Sequence, residues 1–393
     1  MSTLISFLGK SKLNKQTGYR TANYQFEDGL VQKQPFFGLA LMQKIKPEKL
    51  ILLGTAGSMW DVFFDVQQTD DEAVLQLSDA VASESVTQDM LNTHISKLSE
   101  KFGIPVECHL ISYAKSKDEQ ADILTTLGNL ISEEEHITLD VTHGFRHLPM
   151  LALVAARYLS HVRNAHIENV YYGALEMSSD KEGGEITPVL ELNGMLEMLN
   201  WVEALAIYKS SGNYGVFADL YQKDGMPEDR AKMLSQAAFY ERSSNPIQAR
   251  QNLTGAFKYI DNHSGPLGKI FSPSLAKDIN WFRNGDRADW ELALADRYIQ
   301  RQDYLRAAIY MLEGVVSDAV RKSNPPRKMD RYEDRDSSRR EFLAINPEAK
   351  MLDRTRNALV HGVRPFDDAT RRLLQREDLL QQAMHAWRKT FFN

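Results

Sequence analysis

The segment HITLDVTHGFRHLPMLALVAARY, residues 136–158, joins a short β-rich run, His136 to Val141, to a helix-length apolar pattern that begins at His147. A strand running directly into a helix is the repeating unit of an α/β sheet. The same alternation continues on both sides. Strand-like runs lie at Leu4 to Leu8, Leu50 to Leu53, Pro105 to Ile111, Asn169 to Leu175 and Ile186 to Leu192. Helical patterns lie at Val86 to Lys101, Asp118 to Ile131 and His147 to His161, with an earlier one in which Pro35 takes the first helical position and Pro47 stops the run. This order predicts parallel pairing through right-handed crossovers, an open sheet covered on both faces, and ligands bound outside the carboxyl ends of its strands. The loops after Leu8, Leu53 and Val141 are therefore the candidate binding edge.

From about residue 195 the period becomes 3.6 and strand signals stop. Helices are expected at Leu196 to Lys209, Asp229 to Arg242, Ile247 to His263, Asp289 to Gln300, Asp303 to Lys322, Pro347 to His361 and Ala369 to Phe391. His263 to Ser274, with two Gly and two Pro, reads as a linker, and Ser323 to Asn346 as a mobile basic insertion. The expected division is 1–192, an α/β domain; 193–290, a helical linker or intermediate domain; and 291–393, an all-α domain.

The chain has 393 residues, 47 Lys plus Arg against 53 Asp plus Glu, a net charge of −6 and 43% hydrophobic residues, which excludes a fibrous, disordered or small disulfide-stapled protein. Cys108 stands alone, so neither an internal disulfide nor a CxxC zinc site can form. The longest apolar run, Leu148 to Ala156, falls far short of the ~20 residues of a bilayer helix, and the start MSTLISFLGK lacks a basic leader region. A cytoplasmic protein without a membrane span is expected. Charge is uneven: residues 1–180 carry 15 basic and 23 acidic side chains, residues 300–393 carry 19 and 14. A polyanion handled by electrostatics would meet the C-terminal quarter.

At the predicted sheet edge, Thr142 supplies a hydroxyl, Gly144 permits close backbone approach, and the following helix N-terminus together with Arg146 favours phosphate. Asp140 and His143 are open to three readings: two metal ligands without a third, a catalytic His143, or a tight turn with Asp140 as a structural acceptor. Gly9-Lys10-Ser11 and Gly54-Thr55-Ala56-Gly57-Ser58-Met59-Trp60 follow the first two strands. Neither matches GxGxxG or GxxxxGK[ST], which argues against a dinucleotide cofactor and ATP hydrolysis. Their amides, hydroxyls, Lys and aromatic plane suit a nucleotide. The other chemistry-bearing segment is Arg356-Asn357-Ala358-Leu359-Val360-His361-Gly362. On a helix Asn357 and His361 share a face, while Arg356 lies ~140° around and ~7.5 Å along from His361. One copy gives no compact pair; two copies about a two-fold axis would gather both His and both Arg. Against this stands an Arg356–Asp353 pair with His361 merely capping the helix.

Taken together, Asp140-Val141-Thr142-His143-Gly144 and Arg356-Asn357-Ala358-Leu359-Val360-His361 resemble the CRISPR-associated CARF-HEPN ribonucleases, in particular the subgroup named for its DxTHG motif. ISFLGK (5–10) and KPEKLILLGTAGSMWD (46–61) are similar to that subgroup's sensor motifs, and RNALVHG (356–362) is similar to the HEPN signature. The resemblance implies an α/β Rossmann-like N-terminal sensor domain (CARF) followed by an all-α C-terminal HEPN domain. It implies that Arg356, Asn357 and His361 form a ribonuclease site across a homodimer or higher even oligomer. It further implies that Gly9, Lys10, Ser11, Gly57, Ser58, Met59, Thr142, His143, Gly144 and Arg146 bind a cyclic oligoadenylate, cyclic tetra-adenylate favoured, as allosteric activator. The expected activity is metal-independent, cofactor-free cleavage of single-stranded RNA in type III CRISPR defence. The alternatives are a non-catalytic regulator that dimerises through HEPN, and a ring nuclease that degrades its activator.

Overall fold

The computed structural model describes residues 1–10, 21–69, 71–145, 147–181, 184–362 and 367–391. The chain divides into two compact units, Met1–Leu196 and Glu197–Asn393. In the first, the described elements follow as β1 (Ser2–Leu8), β2 (Ala22–Gln25), β3 (Val31–Gln34), α1 (Phe37–Ile45), β4 (Lys49–Gly54), α2 (Trp60–Val66), α3 (Asp71–Ala82), α4 (Gln88–Phe102), β5 (Val106–Leu110), α5 (Lys117–Leu130), β6 (His136–Asp140), α6 (His147–Val162), β7 (His166–Gly173), β8 (Ser179–Lys181) and β9 (Gly184–Glu191). They build one nine-stranded sheet in the order β3-β2-β9-β7-β6-β1-β4-β5, with β8 beside β9.

β1 sits at the centre, parallel to β4 on one side and β6 on the other. Among the parallel strands, β4 and β5 extend the sheet to one side of β1, and β6 and β7 then extend it to the other. That reversal makes the carboxyl end of β1 a topological switch point, where loops from β1, β4 and β6 converge. Burial explains the central strands: all six residues of β4, KLILLG, are buried, as a strand covered on both faces requires. Alternation then sorts the side chains. Leu4, Leu50 and Leu52 join a core beneath α1 to α4, whereas Ile5, Ile51 and Leu53 join a second core beneath α5 and α6.

The parallel expectation holds for β7-β6-β1-β4-β5 and fails beyond it, because β9 runs antiparallel to β7 and β2–β3 form an antiparallel hairpin. That hairpin turns at Asp28-Gly29, with Gly29 at φ 83°. Asp-Gly is a turn signal that the sequence analysis passed over. Pro35 stands two residues before α1 rather than inside it, since Phe36 is the extended N-cap.

The second unit is helical. α7 (Asn193–Ser211) begins within the first unit and is followed by α8 (Ala218–Lys223), α9 (Glu228–Arg242), α10 (Pro246–Asp261), α11 (Gly268–Ile279), α12 (Arg287–Gln300), α13 (Tyr304–Arg321), α14 (Tyr332–Ile345), α15 (Pro347–His361), α16 (Asp368–Gln375) and α17 (Glu377–Phe391). A single apolar cluster runs from Trp201 through Leu253, Leu294 and Leu312 to Trp387, on both sides of the division expected at 290/291. Among the described residues, no helix is long and apolar enough to cross a membrane.

Three differences from the expected helices have physical causes. The Gly-rich stretch before Ser274 enters α11 at Gly268, and a Cβ on Gly265 or Gly268 would run into Asp224 or His263, so these glycines serve close packing and not flexibility. The expected helix from Ala369 to Phe391 is two, broken at Arg376, whose backbone is extended (φ −140°, ψ 114°) without any Gly or Pro to announce it. The expected mobile insertion contains α14, which packs on α13 and α15. Only Ser338 of α14 is buried. Charge holds it in place of an apolar stripe: Arg335 donates to Glu313 at 2.6 Å and to Ser317 at 2.7 Å, Arg327 pairs with Glu341, and Arg339 pairs with Asp353.

Candidate functional site

The carboxyl edge of the first unit holds a cavity of about 290 Å³. Six of the expected ligand residues wall it: Gly9, Lys10, Met59, Thr142, His143 and Gly144. The hairpin and the start of α1 add Tyr24, Pro35 and Phe36, which sequence reasoning missed because the hairpin itself was missed. Gly57 and Ser58 are not among the wall residues. Ser58 is buried and turned inward, its Oγ donating to the Leu8 carbonyl at 2.8 Å and accepting from the Thr55 N–H at 2.9 Å. Ser11 and Arg146 lie outside the described residues.

The DxTHG side chains are spent on the fold. Asp140 is fully buried; it accepts from Ser6 Oγ at 2.6 Å, its register partner across β1–β6, and from the Thr142 N–H at 2.9 Å. Thr142 Oγ1 accepts from the Gly173 N–H at 2.8 Å and so ties the loop to the end of β7. His143 Nε2 accepts from the Phe37 N–H at 3.3 Å, at the first turn of α1, which leaves the ring proton on Nδ1. Burial raises the Asp140 carboxyl, opposed by His143 and by these hydrogen bonds. Burial lowers the His143 imidazole, opposed by Asp140. Asp140 thus acts as a hydrogen-bond acceptor within a tight strand-to-helix turn.

Main chain forms much of this edge. Gly144 adopts φ +109°, and a Cβ on Gly9 would lie 2.8 Å from the Gly144 N atom, so the β1 and β6 loops touch through their backbones. The Met59 N–H donates to the Gly9 carbonyl at 2.9 Å and closes the third side. Lys10 is not free: Glu84 holds its ammonium and also accepts the Tyr113 hydroxyl at 2.9 Å. Gly9→Ala should lower the first unit's melting temperature by several degrees, since overpacking against backbone costs ~1–3 kcal/mol. Calorimetry of the full chain checks this, and an unchanged transition would mean that the loops separate freely.

In the second unit, Asn346 caps α15 by accepting from the Ala349 N–H, Pro347 occupies its first turn, and Gly362 at φ 75° ends it. Arg356 and Asn357 are half-buried and His361, the last helical residue, is exposed. Asp353 organises the group. Its Oδ1 is taken by Arg339 of α14, its Oδ2 accepts from Asn357 Nδ2 at 3.3 Å, and Arg356 stays 3.9 Å away. The expected Arg356–Asp353 pair is therefore present, at 3.9 Å, and Asp353 shares it with Arg339. Among the described residues, His361 has no side-chain hydrogen bond, and no group of three His, Cys, Asp or Glu side chains is placed to hold a metal ion.

Comparison with known proteins bears on the first unit above all. Residues 3–176 match the family model described as the CARF domain of CRISPR system endoribonuclease Csx1. The chain thus resembles the CRISPR-associated CARF proteins through its α/β unit. It is also 26% identical over 324 residues to CRISPR-associated protein MJ1674 of Methanocaldococcus jannaschii, an alignment covering 75% of this chain and 50% of that protein. The chain spans about half the length of that curated relative.

Proposed function

We propose that the protein is an endoribonuclease activated by a cyclic oligoadenylate, sensing it at the carboxyl edge of the sheet and cleaving single-stranded RNA at α15. The observation that carries this reading is α15 itself: an exposed imidazole and a loosely held guanidinium on one helix, in a chain whose other unit matches a CARF domain. The edge cavity, about 290 Å³, has room for part of a nucleotide ring and not the whole, so two copies of the chain would share one ring. With Asp140, Thr142 and His143 committed to the fold, the edge suits binding better than ring cleavage. Ring binding would then act by population shift, favouring the arrangement in which two α15 helices align.

In the proposed reaction the 2′-hydroxyl of the RNA attacks the adjacent phosphorus and the P–O5′ bond breaks. The products are a 2′,3′-cyclic phosphate and a 5′-hydroxyl. His361 transfers the proton, Arg356 stabilises the charge that builds on the phosphorane, and Asn357, held by Asp353, orients either group. Incubation with RNA and cyclic tetra-adenylate, with and without EDTA, tests the reading. Cleavage that persists in chelator and spares a 2′-deoxy cut position is expected; loss of cleavage restored by Mg²⁺ would overturn the mechanism.

Arg339→Ala provides a second check. Without its competitor Arg339, Asp353 is free to draw in Arg356. Turnover should fall by about tenfold with little change in KM, since the loss is of alignment in the transition state. Asp353→Asn in the same background should recover part of it. A variant that cleaves as fast as the wild type would remove Arg339 from the positioning of Arg356.

A further inference from the structure

The loop that follows β6 treats its side chains unequally. Thr142 and His143 bond to main-chain amides of the fold, whereas the Phe145 ring, next to the cavity wall at Gly144, stays 37% exposed. It is held there rather than left loose. Its centre lies 5.7 Å from that of the Tyr113 ring, tilted by 56°, and 5.9 Å from that of the His147 ring, within 23° of parallel. Both supports are fixed in turn. His147 Nε2 donates to the Tyr113 carbonyl at 2.8 Å. The Tyr113 hydroxyl donates to Glu84 at 2.9 Å, and the Lys115 ammonium lies 4.7 Å from the centre of the Tyr113 ring. Glu84 also holds Lys10, a wall residue of the cavity, so the aromatic group and the cavity share one ionic joint. Gly57 fits this joint, for a Cβ there would lie 3.0 Å from the Tyr113 hydroxyl and 3.1 Å from Glu84.

An apolar ring that its neighbours fix at a ligand edge without burying it is a stacking surface. Stacking alone tolerates any base, because every base has a π-face. A choice among bases needs a polar atom beside the ring, and His147 supplies one. A carbonyl only accepts, so in that contact the His147 proton is on Nε2 and Nδ1 keeps a lone pair. Among the described residues, His147 Nδ1 has no hydrogen-bond partner. An acceptor at this place suits the 6-amino group of adenine and opposes the 6-carbonyl oxygen of guanine or hypoxanthine.

We propose that Phe145, backed by Tyr113 and His147, stacks one adenine of the cyclic oligoadenylate while a neighbouring nucleotide occupies the cavity, and that His147 Nδ1 accepts from the 6-amino group of that adenine. This second base position rests on the reading of the edge as a ring sensor and lies outside the 290 Å³ cavity. Calorimetry of the full chain with cyclic tetra- and hexa-adenylate tests it, beside the corresponding inosine rings, which carry a carbonyl oxygen in place of each 6-amino group. Phe145→Leu keeps apolar bulk and removes the π-face. It should weaken binding of the adenylate ring by about fivefold or more, whereas Phe145→Tyr should stay within about twofold of the wild type.

Both Phe145 variants should melt within about 2 °C of the wild type, as substitutions at the surface do. The wild type should prefer the adenine ring to the inosine ring, and His147→Ala should lose most of that preference. If the wild type binds a ring and Phe145→Leu binds it within about twofold as well, the platform is overturned and the sensor reading stands. Failure of the wild type to bind any ring overturns both. An adenine preference that survives intact in His147→Ala overturns the contact to the 6-amino group. A melting temperature of Phe145→Leu several degrees below the wild type would mean that the ring serves the turn, which overturns the platform too.

Discussion

His361→Ala should reduce activated RNA cleavage by about a hundred- to ten-thousandfold, the contribution of a positioned proton-transfer group. The side chain is exposed and at the end of α15, so its loss should leave folding almost untouched, within about 0.5 kcal/mol. Binding of the activator to the α/β unit should likewise be unchanged. That combination separates a chemical role from a structural one. Arg356→Ala should cost about a hundredfold or more, as removal of a donor to developing charge does. Retention of more than a tenth of the wild-type rate by His361→Ala, a barrier change below ~1.4 kcal/mol, would falsify its assignment as the principal proton-transfer group. A mixed dimer of wild-type and His361→Ala chains should lose well over half the activity if each cleft needs both copies.

The second large effect concerns stability. Glu291 of α12 is 1% exposed and accepts from Arg287 Nε at 2.7 Å and from Ser317 Oγ at 2.5 Å, with Arg335 of α14 4.0 Å away. Arg287→Ala leaves that carboxylate buried with its nearest cation gone, and about 3–5 kcal/mol of stability should be lost. Burial already raises the Glu291 carboxyl, with Arg287 and Arg335 opposing. In the variant it rises further above its unfolded value. A carboxyl raised in the folded state binds its proton more tightly there, so stability falls as pH rises through the folded value and is recovered on acidification. The deficit should therefore shrink as the pH approaches the ordinary carboxylate range. Urea titrations at several pH values measure it, and a deficit that is the same at every pH would show that lost packing, and not the stranded charge, is responsible.

The strand pattern was legible because the central strands carry their own signature. Leu50 to Leu53 is an apolar run that a sheet covered on both faces explains, and Ile137 to Val141 alternates apolar and polar residues as a strand does. The carboxyl edge followed from their order, and with it six wall residues of the cavity. The partners that position the side chains there did not follow. Thr142 and His143 read as ligand groups because of their chemistry, yet they bond to the Gly173 and Phe37 amides, partners 31 and 106 residues away that no local pattern reveals. α15 was legible to the residue through Asn346, Pro347 and Gly362, but Arg339 as the partner of Asp353 was not. α14 was missed for the same reason, since a search for apolar periodicity passes over a helix whose contacts are ionic.

That ionic attachment affects how salt titrations of this protein should be read. RNA binding weakens with salt because counterions released from the phosphates must be displaced again, and the slope is usually taken as a count of phosphate contacts. Here added salt would act on the protein itself as well. The Arg339–Asp353 and Arg327–Glu341 pairs are partly solvated, with the Glu341 side chain 64% exposed, whereas Arg335 is sheltered at 12%. Screening should therefore loosen α14 first at the end that holds Asp353. An activity slope would then combine lost RNA affinity with lost alignment of Arg356, and only a binding isotherm measured beside the rate could give the true number of contacts.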